Sequence, residues 1–294
     1  MTAPAPPLTL PQLWLRLLVI AGLWGSCFPL LRSLAPLMSP LAVASVRAGF
    51  SALAVALFLL ATRRLTWPRG ATWWHIPVVG TLNGWLPNIL TAAAMGGVES
   101  APAALIQAMS PLLVGVFSLL LLREEKPGLG LFGGLALGFL GIGIVLGPGA
   151  LSGSANPLSA LMMAAVALCY ASGTLYVRWA RPAVPEHFVL GQQVVAFAVA
   201  LPAALLWDGL SAFVQPAQVW TVLVVLGVLG SAIPLSLYIA LLSRAPAAKA
   251  SLVAYLQPVS AALVGALWLG EFPAPHVLLG GAVVLAGVWL ATRR

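Results

Sequence analysis

The side chains that could do chemistry away from water in this chain are asparagine, glutamine, tyrosine and tryptophan, and they fall inside long apolar runs. Asn83, Trp85 and Asn88 surround Pro87, and a proline frees a backbone carbonyl that an asparagine or a ligand ammonium could use. On a regular helix, residues five apart do not share a face, so at most one of Asn83 and Asn88 is expected to point squarely into a cavity. Gln107 and Ser110 precede Pro111, as Tyr255 and Gln257 precede Pro258, giving two matching kinks with unpaired carbonyls. Trp24-Gly25-Ser26-Cys27 with Pro29 forms a polar, breakable patch near the start. Tyr170, Tyr176, Tyr238 and Tyr255 are the complete set of four tyrosines, with Ser172 between the first two, and none lies in an aqueous loop. A ring carrying a hydroxyl can stack on a ligand side chain and hydrogen-bond to its ends. Each feature also has a plainer reading. The amides could only tie helices together, the small residues could only let them pack, and tyrosine is common in interfacial belts. Trp67, Trp73, Trp74 and Trp289 read as such belt anchors.

The types that do covalent or proton chemistry are placed differently. Glu99, Glu124, Glu125, Glu186, Asp208 and Glu271 map to the ends of apolar runs or between them, as do His75, His187 and His276. A mid-membrane carboxylate relay is therefore not expected, nor is an Asp-Asp, Ser-His or His-Glu-x-x-His dyad. No catalytic residue is assigned and a membrane-embedded enzyme is disfavoured, as is a channel, which would need rings of like residues or a filter repeated by symmetry. Cys27 and Cys169 sit inside apolar runs as small hydrophobes, so neither a disulfide nor a metal site is read, and no cofactor is implied. Gly128-Leu129-Gly130-Leu131-Phe132-Gly133 matches the dinucleotide pattern formally, but no strand precedes it. Gly130, Gly134 and Gly138 read instead as a close helix-packing stripe. Arg47 lies well inside an apolar run, where an unpaired guanidinium is costly. It could hold a carboxylate, or anchor to helix-end carbonyls.

The elements that must position these residues follow from composition. The chain has 294 residues, 61% hydrophobic and 7% charged, with a mean hydropathy of +1.04. Its net charge of +8 forms no basic stripe interleaved with aromatics, so nucleic acid is not an expected partner. Apolar stretches of roughly 18 to 25 residues match the length of a helix crossing about 30 Å of hydrocarbon, so the bilayer is the solvent. The expected fold class is an all-α polytopic membrane protein, with helices near 12–31, 39–61, 73–95, 101–122, 128–147, 158–179, 187–208, 218–242, 248–269 and 276–292. Proline and glycine pairs mark the joints, and the first helix is expected to stay uncleaved because no A-x-A-like site follows it. With the N-terminus inside, Arg16, Arg63, Arg64, Arg69, Arg123, Lys126, Arg178, Arg181, Arg244, Arg293 and Arg294, together with Lys249, share one face and Arg32 the other, which puts both termini in the cytoplasm.

A shift of 147 residues aligns Gly80 with Gly227, Pro87 with Pro234, Pro111 with Pro258, Glu124 with Glu271, and Gly133-Gly134 with Gly280-Gly281. Kink-forming prolines and a glycine pair carried together by one shift mark an internal repeat. The division falls at 1–150 and 151–294, five helices each. An odd number turns the second copy over, so the repeats are inverted and meet at a midplane site.

On Leu23-Trp24-Gly25-Ser26, Arg47, Pro111 with Leu122-Arg123-Glu124, Pro258 with Leu269-Gly270-Glu271, and Gly280-Gly281, the chain resembles the drug/metabolite transporter superfamily with two EamA-type repeats. Within it the aromatic-rich interior resembles bacterial exporters of amino acids, aromatic ones included. The second half departs from the pattern by placing Gln193 where Arg47 aligns. The resemblance implies a multi-pass transporter of the bacterial inner membrane exporting small metabolites by alternating access. Other amphipathic metabolites or drugs are an alternative cargo. Phosphorylated compounds fit less well, because only Arg47 and Lys249 could meet their charge. With the grouping of helices that it implies, Trp24, Ser26, Asn83, Trp85, Asn88, Gln107, Tyr170, Tyr176, Tyr238, Tyr255 and Gln257 become candidate substrate contacts. Pro29, Pro87, Pro111, Pro234 and Pro258 become candidate hinges. The expected partners are a small-molecule substrate and the lipid bilayer; monomer and dimer both stay open.

Overall fold

The computed structural model describes residues 8–97, 103, 106–121, 128–146, 156–260 and 275–292. Among these, every regular element is helical and none is a strand. In chain order they are α1 (Leu10–Gly25), α2 (Cys27–Leu34), α3 (Pro40–Ala61), α4 (Thr72–Gly80), a π segment (Thr81–Trp85), α5 (Leu86–Ala94), α6 (Ser110–Leu121) and α7 (Leu129–Leu146). There follow α8 (Pro157–Ala180), α9 (Pro185–Trp207), a short 3-10 turn (Leu210–Phe213), α10 (Ala217–Gly227), a second π segment (Val228–Ala232), α11 (Ile233–Leu242), α12 (Ala247–Ser251) and α13 (Pro275–Thr292), with 253–260 also helical.

The helix starts are written locally. Ser39 caps α3 by accepting from the Ala42 amide at 3.1 Å with Pro40 behind it, and Asn156 caps α8 by accepting from the Leu158 amide at 2.9 Å with Pro157 behind it. A side-chain acceptor followed by proline satisfies one orphan donor and removes another. Five helical runs are long and apolar enough to cross a bilayer: Leu10–Leu34, Pro40–Ala61, Pro157–Ala180, Pro185–Trp207 and Ala217–Leu242. Leu129–Ile144 and Leu278–Ala291 are shorter apolar helices. Leu57, Phe58, Leu161 and Leu206 are more than half exposed on these runs, which water would penalise and acyl chains do not.

Where both ends are described, the expected boundaries hold within three residues. The helix expected over 12–31 is instead two pieces, α1 and α2, joined at Ser26 and reaching Leu34. The one expected over 101–122 is interrupted at Ala108–Met109, so Pro111 occupies the second position of α6, where its missing N–H is one of the orphans anyway. The run expected over 248–269 turns at Leu252. The Leu122-Arg123-Glu124 and Leu269-Gly270-Glu271 motifs, Glu99, Glu125, Lys126, Arg293 and Arg294 lie outside the described residues.

Partners lie mostly across the chain rather than along it. α7 packs along α13, α3 along α9, α5 and α6 on α8, α4 on α9, α10 on α3, α6 on α12, and α1 on α11. Every one of these contacts joins a helix before residue 150 to one after it. The α7–α13 seam is held at glycine: a Cβ on Gly134 would fall on the backbone of Gly287 and Ala291, and one on Gly287 would fall on that of Gly134 and Gly138. Gly134 and Gly138 thus act as the packing stripe expected of them, bringing two backbones into contact.

The two π segments are a property of the repeat. They occupy positions related by the same 147-residue shift that aligns Pro87 with Pro234, and each proline follows its π segment by one residue after the joint. A proline cannot donate to the preceding turn and its ring displaces the carbonyl four residues back; a turn widened to i→i+5 absorbs the misfit. Gly84, inside the first segment, has φ −110° and ψ −106°, off the helical region altogether.

Candidate functional site

A cavity opens between α1, α2, α3, the first π segment, α5, α6, α8, α9, the second π segment, α11, α12 and the helical stretch at 253–260. Both halves of the chain therefore contribute walls. Its polar lining is uncharged except for Arg47 among the described residues: Asn83, Asn88, Thr91, Gln107, Ser110, Tyr170, Thr174, Gln193, Ser231, Tyr238, Ser251 and Gln257. Trp24, Phe28, Leu31, Val114 and Leu235 supply apolar and aromatic surface.

Seven of the candidate contacts named above reach this lining: Trp24, Asn83, Asn88, Gln107, Tyr170, Tyr238 and Gln257. Tyr238 is only 8% exposed; its hydroxyl pairs with Thr174 Oγ1 at 2.9 Å and its ring meets Trp24 edge-on, with centroids 5.3 Å apart and planes at 60°. That pairing joins α1, α8 and α11 in one aromatic corner. Gln107 Nε2 reaches Gln257 Oε1 at 3.5 Å, a long contact that bridges the two halves. Ser110 Oγ donates to the Gln107 carbonyl at 2.8 Å, beside the Ala108–Met109 interruption, and lies 3.2 Å from the Ala167 carbonyl of α8.

The expectation that only one of Asn83 and Asn88 could face the cavity is corrected: both line it. The spacing argument assumed a regular helix, whereas Asn83 sits in a π segment whose wider turn brings residues five apart toward one side. Neither amide has a hydrogen-bond partner among the described residues. Asn83 reaches α8 at Gly173, where a Cβ would collide with its amide group.

Four candidates lie elsewhere. Ser26 donates to the Leu23 carbonyl of its own helix at 2.8 Å, and Trp85 Nε1 donates to Thr81 Oγ1 at 3.1 Å. Tyr176 is hydrogen-bonded to His75 Nδ1 at 2.8 Å within a cluster that also holds Trp179. Tyr255 is fully buried, its ring occupying the space that a side chain at Gly138 would need. Of the candidate hinges, Pro87 and Pro234 follow the π segments, Pro29 is the third residue of α2, and Pro111 and Pro258 stand in the helical stretches after the turns at 108–109 and 252.

Arg47 does anchor to backbone, as one of its two readings required. Its Nε donates to Ser231 Oγ at 2.6 Å and its Nη2 to the Gly230 carbonyl at 3.1 Å, while Ser231 Oγ donates on to the Leu226 carbonyl at 3.0 Å. The guanidinium is thereby fixed to the second π segment. Gln193, its counterpart in the repeat, donates to Ser51 Oγ at 2.7 Å instead.

Thr91, Thr174 and Ser231 line the cavity without having been singled out from sequence. The signals were present: Thr91 stands three residues after Asn88 and Thr174 four after Tyr170, on shared helical faces, and Ser231 is the repeat counterpart of Gly84.

The model of the EamA-like transporter family matches residues 12–147 and again 157–293, almost the whole chain in two copies. This chain belongs to the EamA-like transporter family. Its similarity to proteins named as transporters agrees: it is 26% identical over 276 residues to the uncharacterized transporter YdfC of Bacillus subtilis, covering 92% of this chain and 87% of that one. It is 29% identical over 296 residues to a protein of Streptantibioticus cattleyicolor named a probable terminal-alkyne amino-acid exporter, covering 96% and 93%. A crystal structure at 19% identity superposes with a TM-score of 0.77 over 97% of each chain and shares the fold. The EamA-family protein is thus a multi-pass membrane transporter, helical throughout the regular elements of its described residues.

Proposed function

We propose that this EamA-family chain is a secondary transporter of the bacterial inner membrane that exports amino acids, aromatic ones included, from the cytoplasm by alternating access. In this reading ten helices span the bilayer, residues 1–150 and 151–294 are inverted five-helix repeats, and both termini are cytoplasmic. The observation that carries it is the cavity itself, walled by both halves and lined with amides, hydroxyls and aromatic rings, with a single cation and no described carboxylate. Such a lining suits a zwitterion with an amphipathic side chain: Trp24 and Tyr238 offer a face for the side chain, and Asn83, Asn88, Gln107 and Gln257 offer donors and acceptors for its ends. A nucleotide sugar or sugar phosphate would need a cluster of cations. The π segments with the prolines after them, and the turns at Ser26, Ala108–Met109 and Leu252, are where the helices of the cavity walls depart from regular geometry. The similarity to a terminal-alkyne amino-acid exporter supports the substrate class.

Purified protein in liposomes preloaded with labelled phenylalanine, threonine or a nucleotide sugar tests the reading. Release of the amino acids above protein-free vesicles is expected; movement of the phosphorylated cargo alone overturns it.

A further inference from the structure

Arg47 has three guanidinium nitrogens and uses two of them on the protein, Nε on Ser231 Oγ and Nη2 on the Gly230 carbonyl. Both acceptors are neutral, so they fix the group without compensating its charge. Nη1 makes no hydrogen bond among the described residues, and Arg47 lines the cavity. The two described acids stand at helix ends: Glu186 opens α9, and Asp208 follows it and accepts from Ser39 Oγ. An uncompensated guanidinium inside an apolar bundle is costly, and an anion arriving beside it removes much of that cost. An arriving ammonium has no such partner among the described residues of this lining. Its best acceptors are neutral oxygens, of which Gln193 Oε1 and Thr91 Oγ1 are buried and have no partner among the described residues.

We infer that the charged group this cavity reads is the substrate's carboxylate, received by Nη1 of Arg47, and that the substrate's amino group is met only by neutral oxygens. The inference rests on the amino-acid reading above and narrows it: an acid stripped of its amine is a ligand, whereas an amine stripped of its carboxylate is not. Charge-assisted hydrogen bonds are about twice as strong as neutral ones, and this asymmetry sets the order of affinities.

The test uses the intact protein in detergent at neutral pH, with phenylalanine, 3-phenylpropionate and phenethylamine each titrated by calorimetry and each competed against labelled phenylalanine. Phenylpropionate is expected to bind at least roughly tenfold more tightly than phenethylamine. Phenethylamine binding as well as phenylpropionate, or neither analogue binding, overturns the inference. Phenylalanine failing to bind while phenylpropionate binds defeats the amino-acid reading and leaves carboxylate recognition standing. Arg47→Lys should keep a reduced preference and Arg47→Gln should lose it. Because Arg47 also holds the second π segment, the ligand pair on the unaltered protein decides the matter if either variant fails to fold.

Discussion

At the residue scale the aromatic corner is the sharpest target. Tyr238 touches Trp24 with its ring and Thr174 with its hydroxyl, so two substitutions separate the two roles. Tyr238→Phe removes a buried hydrogen bond worth about 1 kcal/mol and should reduce phenylalanine exchange by roughly fivefold with little loss of protein yield. Tyr238→Ala also removes the ring and should abolish exchange; normal rates in both variants would place the binding surface elsewhere. Gly173→Ala makes a related case, because the added methyl group would sit where the Asn83 amide lies. Overpacking of that kind costs about 1–3 kcal/mol, and a lowered melting temperature together with weakened phenylalanine binding is expected.

At the scale of the element, the paired prolines act through the turn before them. Pro87→Ala restores a backbone donor, so the first π segment should relax toward a regular helix and swing Asn83 away from Asn88. Melting temperature should hold or rise while phenylalanine affinity falls several-fold, and Pro234→Ala should behave alike; equal transport in both variants would mean that the bends are incidental. These segments also show what the residues made legible. The ends of α3 and α8 were readable because Ser39-Pro40 and Asn156-Pro157 encode their own caps. The apolar length of the helices and the repeat of Pro87 in Pro234 were readable for similarly local reasons. The extra residue in each π turn was not, since a proline can be absorbed by a kink or by a widened turn, and the tight packing beside it belongs to the tertiary fold: Gly84 lies against the Gln192 carbonyl, and Gly227, just before the second segment, against the backbone of Arg47 and Ser51. Without that extra residue, Asn83 and Asn88 fall on different faces of a helix. Tyr255 was out of reach for the same reason, because only the tertiary fold brings it against Gly138.

For the whole molecule, the proposal requires opposite orientations of two five-helix units. Single cysteines introduced within 123–127 should react with a membrane-impermeant thiol reagent only from the cytoplasmic face, and those within 270–275 only from the other; labelling of both from one face would end the inverted-repeat reading. Exchange of phenylalanine in liposomes should change little when a pH gradient is imposed, because no described carboxylate or histidine lines the cavity to carry a proton.

The crosswise pairing of helices has a consequence for how the protein is made. The acceptors for Arg47 lie 183 and 184 residues downstream, and α4, α5, α6 and α7 find their main supports in α8, α9, α12 and α13. Throughout the synthesis of its first half, then, the nascent chain sits in lipid with its guanidinium and its glycine seams uncovered. The α7 seam can close only once α13 has been made, so a product cut short before α13 is expected to go to proteolysis rather than to act as a smaller working unit.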